Sequence, residues 1–184
     1  MEDNEQPSTS DGLDIGETKG TLSMNEVIRR VLMPVDGSEH SERAFKWYMD
    51  NIMKLTDGLY LVHIVEPLSA GLNYSLASKS PSMKDDFSRH MNSLIDSGRT
   101  LREKFLSRCE EAGLSARFTI HVGTKPGENI VRLAQENAAN LVIVGNRGIG
   151  TVRRTFLGSV SDYILHNVNV PVIIIPPPKH SKKK

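Results

Sequence analysis

The 184-residue chain carries a single cysteine. That excludes an internal disulfide framework and any structural zinc site built on several thiolates. No apolar run approaches the roughly 20 residues that a membrane-crossing helix needs. The opening MEDNEQPSTSD has neither the basic start nor the apolar stretch of a secretory signal. The expectation is therefore a cytoplasmic protein in a reducing setting, without a membrane partner. Aromatic residues are few, and Trp47, Tyr60 and Tyr74 make no platform for stacking bases. With a formal net charge of only +1, a nucleic-acid partner is not expected either. The six histidines, His40, His63, His90, His121, His166 and His180, show no H-x-x-x-H spacing, so no protein-built metal site is expected. His63 and His121 fall in strand-like runs and read as packed side chains, and Cys109 as an ordinary thiol.

The near-neutral total hides an asymmetry. Residues 1–26 hold seven acidic residues and one lysine, residues 27–178 hold 18 basic and 15 acidic residues, and residues 179–184 hold four lysines. The first stretch has no aromatic residue and no valine. It is read as a disordered acidic tail, because it offers little apolar surface to offset the entropy of ordering. Pro176, Pro177 and Pro178 remove backbone donors and end any strand, leaving residues 179–184 as a solvated basic tail. One domain, residues 27–178, lies between.

Five short runs rich in β-branched residues punctuate that domain: RRVLMPV, LYLVHIV, ARFTIHV, LVIVG and PVIII. The gaps carry helical periodicity. Phe45, Met49, Ile52 and Met53 make one apolar stripe, and Ile130, Leu133, Ala134 and Ala138 another. A longer helix covers residues 87–112, entered by Asp85 or Asp86 and closed by Gly113, and Val160, Ile164 and Val168 mark the last. Strand alternating with helix predicts an α/β fold, a parallel sheet covered on both faces. Ligands of such sheets sit beyond the carboxyl ends of the strands, which directs attention to the residues after Val35, Val65 and Val144.

After the fourth run the chain reads GNRGIGTVRRTFLGSVSDYI. Glycine at 145, 148, 150 and 158 is too frequent for a core helix. It suits backbone that turns sharply or approaches a ligand without a β-carbon in the way. Ser159 is expected to cap the last helix, with Asp162 completing a capping box. A helix start of this kind presents unpaired N–H groups to a phosphate, and Arg147, Arg153 and Arg154 add donors. G-x-x-x-x-G-K-[ST] and G-x-G-x-x-G are both absent, which excludes the P-loop and the dinucleotide fingerprint.

The spacing G-x-x-G, nine residues, then G-[ST], met by Gly145, Gly148, Gly158 and Ser159, resembles that of the ATP-binding class of universal stress proteins. VLMPVDGSEHSERAF is similar to that family's opening, and LVHIVEP and VGTKPGENIVRLAQENAANLVIVGNRG follow in family order. Two positions depart from the commonest wording: Asn140 stands where Asp often precedes the fourth strand, and Asn146 where Ser is frequent. The resemblance implies a single three-layer domain with a five-stranded parallel sheet of order 3-2-1-4-5. It also implies ATP as ligand, with any Mg²⁺ held mainly by the phosphates. Pro34, Val35 and Asp36 would then lie beside the adenine, Ile64 and Val144 against it, and Gly145, Asn146, Arg147 and Gly148 along ribose and phosphates. Gly158, Ser159, Val160 and Ser161 would hold the phosphates. A homodimer through the last strand, with Val170, Val172 and Ile174 near its axis, is implied too.

Each of these residues also has a plainer reading. Asp36 suits a turn or a helix cap as well as a base contact; Val35, Ile64 and Val144 suit a core; Ser161 suits support of a helix start. No nucleophile with an adjacent base and no paired carboxylates stand out, so the leading expectation is a nucleotide-responsive regulator in stress response. The rivals are a slow ATPase or nucleotidyl-transferase-like enzyme on the same scaffold, for which the HIGH and SGGxDS signatures are missing, and a dimeric interaction protein without nucleotide.

Overall fold

A strand buried on both faces needs apolar residues at every position rather than every second one, and the first of the five runs supplies them. Val31 and Met33 pack into one core and Leu32 into another, all three fully buried. The computed structural model describes residues 12–18, 20–66, 81–146 and 157–178. Its elements in chain order are β1 (Gly12–Thr18), β2 (Arg29–Pro34), α1 (Glu39–Asn51), β3 (Asp57–Val65), α2 (Pro81–Glu111), β4 (Ser115–Val122), α3 (Pro126–Glu136), β5 (Leu141–Gly145), α4 (Ser159–Asn167) and β6 (Val172–Ile175).

The sheet runs β1-β4-β3-β2-β5-β6. From β4 to β6 every pairing is parallel, whereas β1 joins β4 antiparallel. The chain first builds outward from β2 to β3 and β4, then crosses back to place β5 on the other side of β2. That reversal opens a crevice beyond the carboxyl ends of β2 and β5.

Helices α1 and α2 cover one face. Phe45 and Phe105 meet there edge to face, with ring centroids 4.8 Å apart, and Arg108 lies 4.4 Å over the Phe45 ring. The centre of the α1 stripe is Ala44, Phe45 and Tyr48, while Met49, Ile52 and Met53 sit at its margin. Helix α2 ends before Gly113, whose φ of +65° is the left-handed turn glycine adopts most easily. On the other face Ile130, Leu133 and Ile164 of α3 and α4 pack on Leu32, Val142 and Val144. Gly127 lets these two helices touch, since a β-carbon there would meet the Tyr163 side chain at 3.0 Å.

Four expectations need correcting. The sheet has six strands, not five, so its order gains β1 at one end and is no longer purely parallel. That strand lies in the stretch read as a disordered tail. Composition weighs only the apolar surface a segment brings, but an edge strand is held chiefly by the backbone groups of its neighbour. Thr18 is buried there, its hydroxyl donating to the Leu114 carbonyl at 3.1 Å and accepting from the Ala116 amide at 3.1 Å. Further on, Met24 and Val27 are buried over Gly58. Helix α2 begins at Pro81 rather than at Asp85 or Asp86, because proline is well suited to a first helical turn. Finally, α4 is capped by Gly158, not Ser159, and the cap residue makes no side-chain bond to the first turn. Ser159 is the first helical residue, so the expected capping box does not form.

Among the described residues no helix is long and apolar enough to cross a membrane. They also contain no cluster of three or more His, Cys, Asp or Glu that could hold a metal ion.

Candidate functional site

Three helices begin at the carboxyl edge of the parallel strands. The first, α1, starts tightly. The Ser38 hydroxyl accepts from the Ser41 amide at 3.4 Å, and the Ser41 hydroxyl donates to the Ser38 carbonyl at 3.0 Å. Asp36 builds the turn into it, one carboxylate oxygen accepting from the Ser38 amide at 3.0 Å and the Ser38 hydroxyl at 2.6 Å. Helices α3 and α4 start without a side-chain cap, at Lys125 and Gly158. Uncapped first turns leave N–H groups and partial positive charge directed outward.

Between these starts lies a cavity of about 420 Å³, within the ~300–1,000 Å³ usual for small-molecule sites. Its walls are mixed. Val35, Val62, Ile64, Ile130 and Val144 give an apolar side, and Ser38, Ser41, Ser159 and Ser161 give hydroxyls. Asp36 and Glu66 stand among its lining residues as well. A smaller hollow of about 270 Å³, lined by His63, Ser97, Thr100 and Lys104 among others, shares Asp36 with it.

Of the site residues expected from sequence, the cavity gathers Pro34, Val35, Asp36, Ile64, Val144, Gly145, Gly158, Ser159, Val160 and Ser161. Asn146 does not line it. It sits behind, buried, its side-chain carbonyl accepting the Gly158 amide at 3.2 Å. Arg147, Gly148, Gly150, Arg153 and Arg154 lie outside the described residues, as do residues 67–80 of the polar loop after β3. Asp36 both builds the turn into α1 and lines the cavity.

The glycines differ in cause. Gly145 is demanded by the fold: a β-carbon there would run into the backbone carbonyl of His40, at the point where α1 crosses the end of β5. Gly158 is not. Its φ is −65°, and among the described residues the nearest atom an added β-carbon would meet is Oδ1 of Asn146, 3.9 Å away. Among the described residues nothing in the packing requires glycine at that position, and the residue lines the cavity.

Supporting contacts hold the edge in place. The His63 ring donates from Nδ1 to the Val35 carbonyl at 2.8 Å, and the Val35 amide donates to the Val62 carbonyl at 2.8 Å, fixing the exit of β2. Arg43 of α1 donates to the Asn146 carbonyl at 2.8 Å and approaches the His40 ring at 3.3 Å. Burial lowers the pKa of its guanidinium. Asn140 pairs with β2 through both backbone and side chain, its Oδ1 accepting the Arg30 amide at 2.7 Å.

Sequence reasoning missed Ser38, His40, Ser41, Val62, Glu66, Pro126 and Ile130, all of which line the cavity. Two signals were available. The serines at 38 and 41, directly after a strand, mark a helix start at the crevice, and Val62 lies two residues before Ile64 on the same face of the strand. Ile130 carries no such mark, since its helical stripe reads as core.

The family model for the universal stress protein family matches residues 28–176, a range that leaves β1 outside. A universal stress protein of Methanocaldococcus jannaschii, MJ0577, is 23% identical over 158 residues, covering 83% of this chain and 97% of that protein. A second from the same organism, MJ0531, is 27% identical over 169 residues, covering 85% and 91%. The solved structure of MJ0577 superposes with a TM-score of 0.66 at 22% identity, covering 82% of this chain and 97% of that one. A universal stress protein solved in complex with cAMP superposes with a TM-score of 0.52 at 21% identity, covering 82% and 98%.

Proposed function

The chain belongs to the universal stress protein family, and on that premise we propose that its cavity binds an adenine nucleotide, ATP above all, and that the protein is a nucleotide-responsive regulator. The observation that carries the proposal is Gly158. A residue that neither its φ nor its packing among the described residues requires to be glycine opens a helix without a side-chain cap on a cavity of about 420 Å³. A phosphate seated there accepts from backbone N–H groups of the first turn of α4, and a β-carbon at Gly158 would stand in its way.

In this reading Pro34, Val35, Ile64 and Val144 take the base, and Asp36 accepts from the exocyclic amine of adenine. Gly158, Ser159, Val160 and Ser161 take the phosphates, with Arg147 and Gly148 beside them by resemblance to the family. Gly145 and Asn146 position the loop. Mg²⁺ arrives with the phosphates rather than on protein ligands. That one solved relative holds cAMP, an adenine nucleotide, agrees with the ligand class. The same reading includes a cytoplasmic setting and a homodimer formed through β6, the terminal strand of the sheet, with Val170, Val172 and Ile174 at the contact.

The test is calorimetric titration of ATP into the wild type and Gly158→Val. The variant is expected to lose affinity about ten-fold or more, at least ~1.4 kcal/mol. Its stability should fall by only about 1 kcal/mol, the cost of a poorer helix cap. A wild type that does not bind ATP, or a folded variant that binds it equally well, overturns the proposal.

A further inference from the structure

We propose that the outer edge of β4 is a self-association surface, that its partner is the same edge of a second copy of this chain, and that β1 keeps it covered. Strand β1 lies outside the residues that the family model matches, so the matched fold ends the sheet at β4. That edge is long and regular. All eight residues of β4, Ser115–Val122, pair with β3 in unbroken parallel register. A strand of this kind, left open, offers another chain a row of unpaired backbone groups. Ala116 turns its amide outward, where Thr18 Oγ1 accepts it at 3.1 Å. By the alternation of a strand, Phe118 and Ile120 direct their amides the same way.

Strand β1 replaces this edge with a poorer template. It pairs antiparallel from Gly12 opposite His121 to Thr18 opposite Ala116, with a bulge between Asp14 and Gly16. A bulge, two glycines and the carboxylates of Asp14 and Glu17 all discourage a further strand. The described side-chain contacts that hold β1 are polar: the Thr18 hydroxyl against the backbone of β4, and Glu17 against Arg117 at 3.1 Å. A segment with few apolar contacts opens at a free energy well below that of the whole fold. The chain after it is anchored. The Gly20 amide donates to Ser115 Oγ at 3.2 Å, the Thr21 amide donates to the Gly113 carbonyl at 3.0 Å, and Met24 and Val27 are buried. Strand β1 can therefore lift away while the chain from Gly20 onward stays in place.

The exposed edge suits its own copy. A two-fold axis through Phe118 pairs two β4 strands antiparallel, the direction that β1 already uses. The outward groups of the two Phe118 residues then bond each other, and those of Ala116 bond Ile120. Arg117 falls opposite Thr119, so no like charges meet. The same patch serves both copies, which closes the contact as a pair.

The experiment uses the full chain, with amide exchange by NMR and mass by light scattering. In the wild type the Phe118 and Ile120 amides, covered by β1, are expected to exchange about ten-fold or more faster than those of Arg117 and Thr119, which β3 covers. Thr18→Val with Gly20→Val detaches β1, since a β-carbon at Gly20 would run into the main chain of Gly113, Leu114 and Ser115. The mean mass of that variant is expected to rise about two-fold or more between about 1 and about 100 μM, while the wild-type mass holds. Thr18→Val alone keeps the Gly20 anchor and gives the same rise at higher concentration, so the test survives misfolding of the double variant. Added to either, Thr119→Lys sets a lysine opposite Arg117 and abolishes the rise, whereas Thr119→Asp keeps it. A folded variant with fast Phe118 exchange and unchanged mass overturns the proposal. Equal assembly of the Lys and Asp forms overturns it too, because the contact would then lie elsewhere. Equal exchange at Phe118 and Arg117 in the wild type shows that β1 is not a removable cover.

Discussion

The two ends of the parallel sheet handle polar groups in opposite ways. At the amino end Asp57 is fully buried and accepts four hydrogen bonds. They come from Arg29 Nε at 2.8 Å and Nη2 at 2.6 Å, from the Tyr48 hydroxyl at 2.9 Å, and from the Lys54 amide at 3.0 Å. Arg29 spends a further donor on the Ile52 carbonyl at 2.7 Å. The carboxylate thus joins the starts of β2 and β3 to α1, with its acceptor sites met inside the protein. At the carboxyl end α3 and α4 open without side-chain caps, onto a cavity lined with hydroxyls. A polar cluster closed on itself holds a fold together, whereas one left open to a cavity is available to a ligand. Only the second belongs in an account of function, although both contain an aspartate at a strand terminus.

The largest expected effect breaks the closed end. Asp57→Ala leaves a guanidinium and a phenol without their acceptor, and removing one partner of a buried pair costs about 3–5 kcal/mol. For a chain of this size that corresponds to a fall in Tm of roughly 6–20 °C, read by thermal or urea unfolding. Nucleotide affinity below the transition should not change, because Asp57 is at the opposite end of the sheet. A variant that kept its Tm would show that the network is ornamental.

A smaller effect comes from alkali. Burial pushes the Cys109 thiol up from its ordinary 9 to about 12, and burial followed by the neighbouring Asp57 carboxylate pushes the Tyr48 phenol up as well. Both groups are neutral when protonated. Above pH 9 the unfolded chain therefore releases a thiol proton that the folded chain keeps, so stability is full below pH 9 and declines as pH rises towards 12. The slope is on the order of 1.4 kcal/mol per pH unit for one group, and Tyr48 steepens it at the upper end. Cys109→Ala should remove the first part of the decline in urea midpoints measured from pH 8 to 11. An unchanged decline would mean that the thiol is not the group responsible.

The same contrast explains what the sequence made legible. Periodicity located the five parallel strands and their helices, because two-sided burial writes itself as continuous apolar runs. The glycine spacing led to Gly158 and its neighbours, and chain order implied the crevice. What stayed hidden depends on partners distant in sequence. Asp57 stands in Thr-Asp-Gly and reads locally as a turn, while Arg29 and Tyr48 reach it only in the fold. β1 is stabilised by the open edge of β4, which its own composition does not show. Gly145 lines the cavity, but the close approach that demands glycine there is to the backbone of α1. Asn146 looked like a wall of the site and is instead its backing.

The central claim is that the open end of the sheet, and not the closed end, meets the ligand. It is tested most directly by two-dimensional amide NMR of the full chain during titration with ATP. The account predicts progressive shifts at Val35, Asp36, Ile64, Val144, Gly158, Ser159, Val160 and Ser161, and none at Arg29, Tyr48, Lys54 or Asp57. Shifts centred on the Asp57 network, or no change at Gly158 and Ser159 at saturating ATP, would contradict it.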